Sequence, residues 1–157
     1  MRSLAPELSV AAAYGRILPE DILNTPKYGA INVHSSILPK YRGAAPINWA
    51  ILNGDTVTGV SIMYMAPELD AGDVILCRET AIDPDEDAVA LTARLAELGA
   101  EALHEALGQL GRGTGTRTAQ DHAAHTYAPM REKSISPLDF SRSAQQLHDQ
   151  VRGLVPW

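Results

Sequence analysis

Four segments of the chain have the hydrophobic pattern of β-strands. The predicted strands are Leu8–Ala13, Ala30–His34, Gly59–Met65 and Val74–Ile82. The third is apolar on both faces, which is typical of a strand covered on both sides of a sheet. The fourth alternates more clearly between apolar and polar positions, so we expect it nearer the edge. With helices between the strands, this pattern predicts an α/β fold.

The predicted helices follow from apolar spacing and from the residues at their ends. A short helix is expected to begin at Ile17-Leu18-Pro19, because proline is tolerated in a first turn. Proline at the first position and Gly54 as a stop predict a helix over Pro46–Asn53. The longest helix is predicted over Asp87–Leu110, with acidic residues near its N-terminus. Its apolar face carries Leu91, Leu95, Leu98 and Ala102.

The pattern is less regular after the long helix. The glycine-rich segment Gly111–Gly115 follows a helix and not a strand, which favours a flexible link over a phosphate-binding loop. Thr126–Pro129 is predicted to be a short extended segment. Ser143 and Gln146 have the spacing of a capping box and predict a last helix. The apolar side of that helix would carry Leu147, Val151 and Leu154.

Composition and charge narrow the class of protein. The 157 residues have the length of one ordinary domain, and the apolar fraction of 45% is enough for a core. No run of about 18 apolar residues is present, which argues against a transmembrane helix. The net charge of −6 argues against a general phosphate-binding surface. The single cysteine, Cys77, cannot form an internal disulfide and is expected to be a small buried residue. A cytosolic enzyme is the plain interpretation.

Candidate chemistry is concentrated between residues 29 and 75. Asn32 and His34 are two residues apart in a predicted strand, so their side chains would share one face at its C-terminal end. Open α/β sheets bind ligands there. The acidic turn of residues 68–73 could bring Asp70 to the histidine. An amide, an imidazole and a carboxylate suit formyl transfer, because donors stabilise the developing oxyanion and a carboxylate accepts an amine proton.

Simpler interpretations of the same residues stay open on pattern alone. The Asn-x-His pair can be a hydrogen-bonding pair at a strand end, and Asp70 and Asp73 can be turn residues. A nucleophilic Ser35 or Ser36 is disfavoured, because no Gly-x-Ser-x-Gly elbow surrounds them. A metal site from His34 and the two aspartates lacks the spacing of known metal motifs. Formyl transfer is therefore one possibility among several at this point.

Three motifs resemble a known family. Asn32-Val-His34, Ile37-Leu38-Pro39 and Leu69-Asp70-x-Gly72-Asp73 are similar in order and spacing to the core of the folate-dependent formyltransferases. The resemblance implies a Rossmann-like α/β domain that uses 10-formyltetrahydrofolate as the formyl donor, without a metal. It implies Asn32 as the formyl-oxygen donor, His34 as an electrophilic acid and Asp70 as an orienting carboxylate or proton acceptor.

The resemblance also implies a folate site. Two loops, residues 14–19 and 67–72, would hold the pterin from opposite sides, and a polar residue on the third strand would support it. The implied cofactor-binding residues are Tyr14, Gly15, Ile17, Leu18, Pro19, Ser61, Leu69 and Gly72.

The resemblance further implies how the chain is organised. Residues 1–113 would be a catalytic domain that lacks about two N-terminal β–α units. Residues 114–133 would be a linker, and residues 134–157 would begin a C-terminal tRNA-binding domain that is cut off. Because only four strands precede the long helix, structure is expected to be missing at both ends of the chain.

Partners are implied by motifs within the family. Arg42–Pro46, Thr126–Pro129 and Val151–Trp157 resemble the members that formylate methionyl initiator tRNA for translation initiation. The resemblance therefore implies that methionyl initiator tRNA is the substrate. It also implies a cytoplasmic protein that is monomeric at full length and has no membrane partner. Two alternatives are left open. One is an amino-sugar nucleotide as formyl acceptor, and the other is a truncated fragment that binds folate without catalysis.

Overall fold

The computed structural model of the protein describes residues 5–156. Residues 1–4, the start of the predicted catalytic domain, and Trp157, the end of the Val151–Trp157 motif, lie outside the described residues. In chain order the strands are β1 (Ser9–Ala12), β2 (Ala30–His34), β3 (Arg42–Gly43), β4 (Val57–Tyr64), β5 (Val74–Ala81) and β6 (Tyr127–Ala128). The α-helices are α1 (Glu20–Leu23), α2 (Pro46–Leu52), α3 (Ala88–Gly111) and α4 (Ala144–Leu154).

A four-stranded mixed sheet forms the centre of the described fold, in the order β1-β2-β4-β5. β2 pairs in parallel with β1 and antiparallel with β4, and β4 pairs antiparallel with β5. The six consecutive residues 58–63 of β4 are all buried, which confirms the prediction of a strand covered on both faces. β5 lies at the edge, also as predicted. The α/β fold class is confirmed.

The long helix α3 packs on this sheet and supplies much of the core. Leu91, Leu95 and Ala102 are buried as their spacing predicts, and Leu98 is half-buried. Burying one leucine side chain contributes about 2 kcal/mol. Asp87 ends the preceding loop and caps the helix, because its carboxylate accepts hydrogen bonds from two backbone N–H groups of the first turn.

The last helix, α4, confirms one prediction and corrects another. The capping box between Ser143 and Gln146 is present. The predicted apolar stripe is wrong at Val151, whose side chain is 54% exposed. The helix instead buries Asp149 and Arg152, and the guanidinium of Arg152 also donates to the Glu86 carbonyl at 3.0 Å, just before α3. A charged pair whose hydrogen bonds are satisfied can replace apolar burial, which the apolar pattern does not reveal.

A second, two-stranded sheet joins distant parts of the chain. The segment between β2 and α2 contains β3, which the hydrophobic pattern does not predict and which pairs in parallel with β6. Arg42 lies opposite Tyr127, and Gly43 lies opposite Ala128. This pairing brings the predicted linker against the segment that follows β2. Among residues 5–156, no helix is both long enough and apolar enough to span a bilayer.

Candidate active site

Asn32 and His34 line one cavity at the C-terminal end of β2. The cavity has a volume of about 580 Å³ and lies between residues 13–18 on one side and residues 65–70 on the other. This volume falls in the range of small-molecule sites, about 300–1,000 Å³. The spacing of two residues within a strand therefore brings the amide and the imidazole to the same opening.

The His34 ring is held by a backbone carbonyl. The side chain is buried, and its Nε2 lies 2.8 Å from the carbonyl oxygen of Tyr41. Because a carbonyl oxygen only accepts hydrogen bonds, Nε2 carries the proton of this contact. Nδ1 then faces Oδ2 of Asp70 at 3.7 Å. Nδ1 is therefore the ring nitrogen that can exchange a proton with a ligand in the cavity.

Asp70 reaches the histidine from a tight turn. Its backbone has a φ of +49°, the left-handed region that aspartate tolerates better than most residues. Its side chain is 11% exposed, and Oδ2 accepts a hydrogen bond of 2.9 Å from the Gly43 N–H. One carboxylate oxygen thus joins the turn to the β3 segment and faces His34 Nδ1.

Asn32 presents an uncommitted amide to the cavity. It pairs with Met63 on β4 and with Ala11 on β1, and both neighbours also line the cavity. Within the described residues no side-chain hydrogen bond engages the Asn32 amide. Its N–H₂ group can therefore donate to a ligand oxygen without first breaking an internal contact.

Tyr41 supplies the carbonyl that orients His34, and sequence reasoning missed it. Its φ of +61° is uncommon for an aromatic residue and persists because several contacts fix the residue. The hydroxyl donates to Asp55 at 2.8 Å, and the backbone N–H donates to the Thr126 hydroxyl at 2.8 Å. Burial raises the pKa of Tyr41 to about 12; the contact with Asp55 adds to the rise, and the Asn53 amide opposes it. A backbone carbonyl leaves no sequence signal.

Five of the eight predicted folate-binding residues line the cavity. They are Tyr14, Gly15, Ile17, Leu18 and Leu69. Tyr14, Ile17 and Leu69 are large and exposed, so this wall offers apolar surface to a ligand. Two further wall residues, Tyr127 and Met130, come from the predicted linker and were not foreseen.

The other three predicted folate-binding residues do not line the cavity. Pro19 precedes α1, and its carbonyl accepts the first hydrogen bonds of that helix. Ser61 is fully buried opposite His34; its hydroxyl donates to the Ser36 carbonyl at 2.7 Å and accepts from the Leu38 N–H. Gly72 lies where a Cβ would collide with the Tyr64 carbonyl. Each supports the shape of the site without facing into it.

Of the two serines considered as nucleophiles, Ser35 lines the cavity but makes no side-chain hydrogen bond to a base among the described residues. The Ser36 hydroxyl donates to the Lys40 carbonyl at 2.6 Å, so it is not directed as a nucleophile. Among residues 5–156, no three His, Cys, Asp or Glu side chains are grouped to hold a metal ion. Burial raises the pKa of the Cys77 thiol, which disfavours the thiolate.

Comparison with known proteins decides the family. A family model described as "Formyl transferase" matches residues 1–107. The chain belongs to the formyltransferase family. This membership confirms the resemblance seen in the motifs and agrees with the mixed α/β fold.

Two curated relatives of this formyltransferase chain match it over all 157 residues. The methionyl-tRNA formyltransferase of Geotalea uraniireducens is 51% identical, and that of Acetivibrio thermocellus is 50% identical. The alignment covers 100% of the chain and 50% of each relative. The chain therefore spans about half the length of the curated relatives it matches.

A solved structure has the same fold as this formyltransferase chain. The N-formyltransferase from Helicobacter canadensis, in complex with folinic acid and dTDP-3-aminofucose, superposes with a TM-score of 0.83 at 21% identity. The match covers 97% of this chain and 58% of that one. At this identity the likeness establishes the fold alone.

Proposed function

We propose that the protein containing this chain transfers a formyl group from 10-formyltetrahydrofolate to the amino group of methionyl initiator tRNA. The observation that carries the proposal is the meeting of Asn32, His34 and Asp70 at one cavity. Identity of about 50% over the whole chain to methionyl-tRNA formyltransferases supports the tRNA acceptor. The cytoplasmic location and the monomeric state stay predictions from the sequence.

The cavity fits a folate donor in size and lining. Its wall is mostly apolar, with exposed side chains such as Ile17 and Leu69 on facing loops. A flat heteroaromatic ring can be held between apolar side chains while loop backbone groups satisfy its polar edge. The folinic acid in the Helicobacter canadensis enzyme is consistent with a folate as cosubstrate here.

The three side chains would divide the work of transfer. Formyl transfer forms a bond from the amine nitrogen to the formyl carbon and then breaks the bond from that carbon to N10 of the folate. The Asn32 amide donates to the formyl oxygen as it becomes negative, and a single such donor is worth about 3 kcal/mol. Nδ1 of His34, in its protonated form, can donate to the same charge or to the departing N10.

Asp70 would act on the proton of the amine. Its Oδ2 lies beside His34 Nδ1, and its Oδ1 receives no hydrogen bond from the described residues. The carboxylate can therefore accept the proton that the attacking amine loses, directly or through water. No covalent intermediate is required, because positioning donor and acceptor together already lowers the barrier by several kcal/mol.

The experiment that tests the acceptor is a direct assay. The protein containing this chain is incubated with 10-formyltetrahydrofolate labelled in the formyl group, and with either methionyl initiator tRNA or an amino-sugar nucleotide. We expect label on the tRNA. Label on the sugar alone would favour the second candidate, which the likeness to a sugar-binding N-formyltransferase makes reasonable. Folate binding without transfer to either acceptor would reject catalysis and favour a folate-binding fragment.

A further inference from the structure

Gln120 occupies an unusual position behind the cavity. It lies in the predicted linker, its side chain is buried, and it is not among the described residues that line the cavity. Its Oε1 accepts hydrogen bonds from Nε and Nη2 of Arg42, at 3.1 and 2.8 Å. Its Nε2 donates to the carbonyls of Asp70 and Gly72, at 2.9 and 2.7 Å. All four hydrogen-bonding positions of the amide are therefore occupied.

These four contacts connect the two sides of the Gly43–Asp70 hydrogen bond. Arg42 directly precedes Gly43, whose N–H donates to Asp70 Oδ2. Asp70, which accepts this hydrogen bond, lies in the turn whose backbone carbonyls accept hydrogen bonds from Gln120 Nε2. We propose that Gln120 is the positioning residue for the Asp70 carboxylate. The inference rests on the proposed function and adds to it a residue outside the cavity.

The neighbouring contacts show why the turn depends on this amide. Within the turn, the Ala71 N–H reaches the Glu68 carbonyl only at 3.4 Å. Arg42 reaches the exposed carboxylate of Glu68 at 3.5 Å. Both contacts are longer than those made by Gln120, and a surface ion pair holds a loop weakly. The left-handed backbone of Asp70 requires surrounding contacts to persist.

Because Arg42 is charged, the Oε1 acceptor of Gln120 is as important as its Nε2 donor. Its guanidinium is buried, and the carboxylate it reaches is 70% exposed. Without Gln120, two guanidinium N–H groups would lose their acceptor, and Nη2 would keep only its longer contact of 3.3 Å with His122 Nδ1. A buried donor without a partner is costly, so Arg42 and the adjoining Gly43 would be expected to shift. The Asp70 carboxylate would then lose its alignment with His34 from both sides.

Two variants and one matched control test this assignment in the protein containing this chain. Gln120→Ala removes all four contacts. Gln120→Glu keeps an acceptor for Arg42 but replaces the donor that holds the two turn carbonyls. Gln150→Ala is the control: Gln150 is also buried, donates to the carbonyls of Ile135 and Pro137, and accepts from Arg142.

Two readouts separate a positioning role from a general loss of stability. We expect kcat for formyl transfer to fall about 100-fold in both Gln120 variants, since small misplacements of catalytic groups have effects of this size. The KM for the folate should change less than about 3-fold, because none of the partners of Gln120 lies in the wall formed by residues 13–18. Hydrogen exchange at the Gly43 amide, followed by NMR, should accelerate in both variants and stay unchanged in Gln150→Ala.

The two proposals fail in different ways. A wild-type protein that transfers no formyl group would reject the proposed function, while Gly43 exchange would still decide the role of Gln120. Variants at Gln120 with the kcat and the Gly43 exchange of Gln150→Ala would overturn the positioning role. If Gln120→Ala does not fold, a folded Gln120→Glu with wild-type kcat would overturn it equally.

Discussion

The orientation of His34 depends on residues that carry no catalytic group of their own. Its ring is fixed by the carbonyl of Tyr41, and its partner Asp70 is fixed by the Gly43 N–H. The period of two in β2 predicts that Asn32 and His34 share a face, and the structure places both at the cavity. The carbonyl of Tyr41 and the amide of Gln120 could not be predicted. The first is a backbone group seven residues after His34, and the second is a side chain that reaches backbone carbonyls about 50 residues away, so neither contact follows from a sequence pattern.

The phenol of Tyr41 gives a prediction about alkaline pH. Burial raises its pKa from 10.0 to about 12, so the folded state favours the neutral phenol. The stability from this preference is fully present below pH 10, the unfolded value, and is lost as the pH rises toward 12. We expect Tyr41→Phe to lose less unfolding free energy between pH 9 and 11 than the wild type.

Absorbance titration of the tyrosines supplies the matching measurement. A late phenolate transition near pH 12 should be missing from Tyr41→Phe. The control Tyr28→Phe removes an exposed phenol and should retain the late transition. A late transition that survives in Tyr41→Phe would assign it to another residue and contradict the burial of this phenol.

At the scale of elements, local patterns predicted more than pairing did. The strand Ala30–His34 and the long helix that follows Asp87 were predicted from short-range sequence signals, and both are present. The β3–β6 pairing was not predicted, because two-residue strands have no measurable periodicity and their partners are about 85 residues apart. The buried face of α4 was also missed, since its Asp149–Arg152 pair is polar.

The cap of α3 gives a prediction about an element. Asp87 accepts from the N–H groups of Val89 and Ala90, both at 2.9 Å. Asp87→Ala should lower the free energy of unfolding by about 1 kcal/mol, because two donors of the first turn lose their acceptor. Asp85→Ala, at a carboxylate 94% exposed, is the control and should change it by less than about 0.5 kcal/mol. Urea denaturation measures both, and equal effects would argue against the cap.

At the scale of the whole molecule, the segments after α3 pack onto the rest of the described chain. The amide of Asn48 on α2 donates to the Gly153 carbonyl on α4 at 2.7 Å, and Arg152 reaches the Glu86 carbonyl. The predicted linker contributes Gln120, Thr126 and Tyr127 to the site or its support. The family match ends at residue 107, so the boundaries at 113 and 133 stay predictions.

The carboxylate of Glu86, just before α3, gives a prediction about stability at low pH. Hydrogen bonds from Arg94 lower the pKa of Glu86 below its ordinary 4.5, against the effect of its burial. The stability that results is present above pH 4.5 and is lost as the pH falls through the lower, folded value. Glu86→Gln should therefore be about 1 kcal/mol less stable than the wild type at pH 7, discounted for the partly exposed Arg94.

The pH dependence of the difference is the decisive part of that prediction. The difference in unfolding free energy between Glu86→Gln and the wild type should shrink as the pH falls below 4.5 and through the lowered pKa of the folded carboxyl, where the wild-type carboxyl gains its proton. Chemical denaturation at pH 7 and at several lower values measures this difference. A difference in unfolding free energy that stays constant down to pH 3 would show that Glu86 stabilises the protein without its charge.

The central claim is that His34, held between the Tyr41 carbonyl and Asp70, takes part in formyl transfer. The most direct measurement compares single-turnover rates of His34→Ala and His104→Ala in the protein containing this chain, with 10-formyltetrahydrofolate and methionyl initiator tRNA. His104 is an exposed histidine on α3. The account predicts a rate lower by about 100-fold for His34→Ala and an unchanged rate for His104→Ala. A wild-type rate in His34→Ala would contradict it.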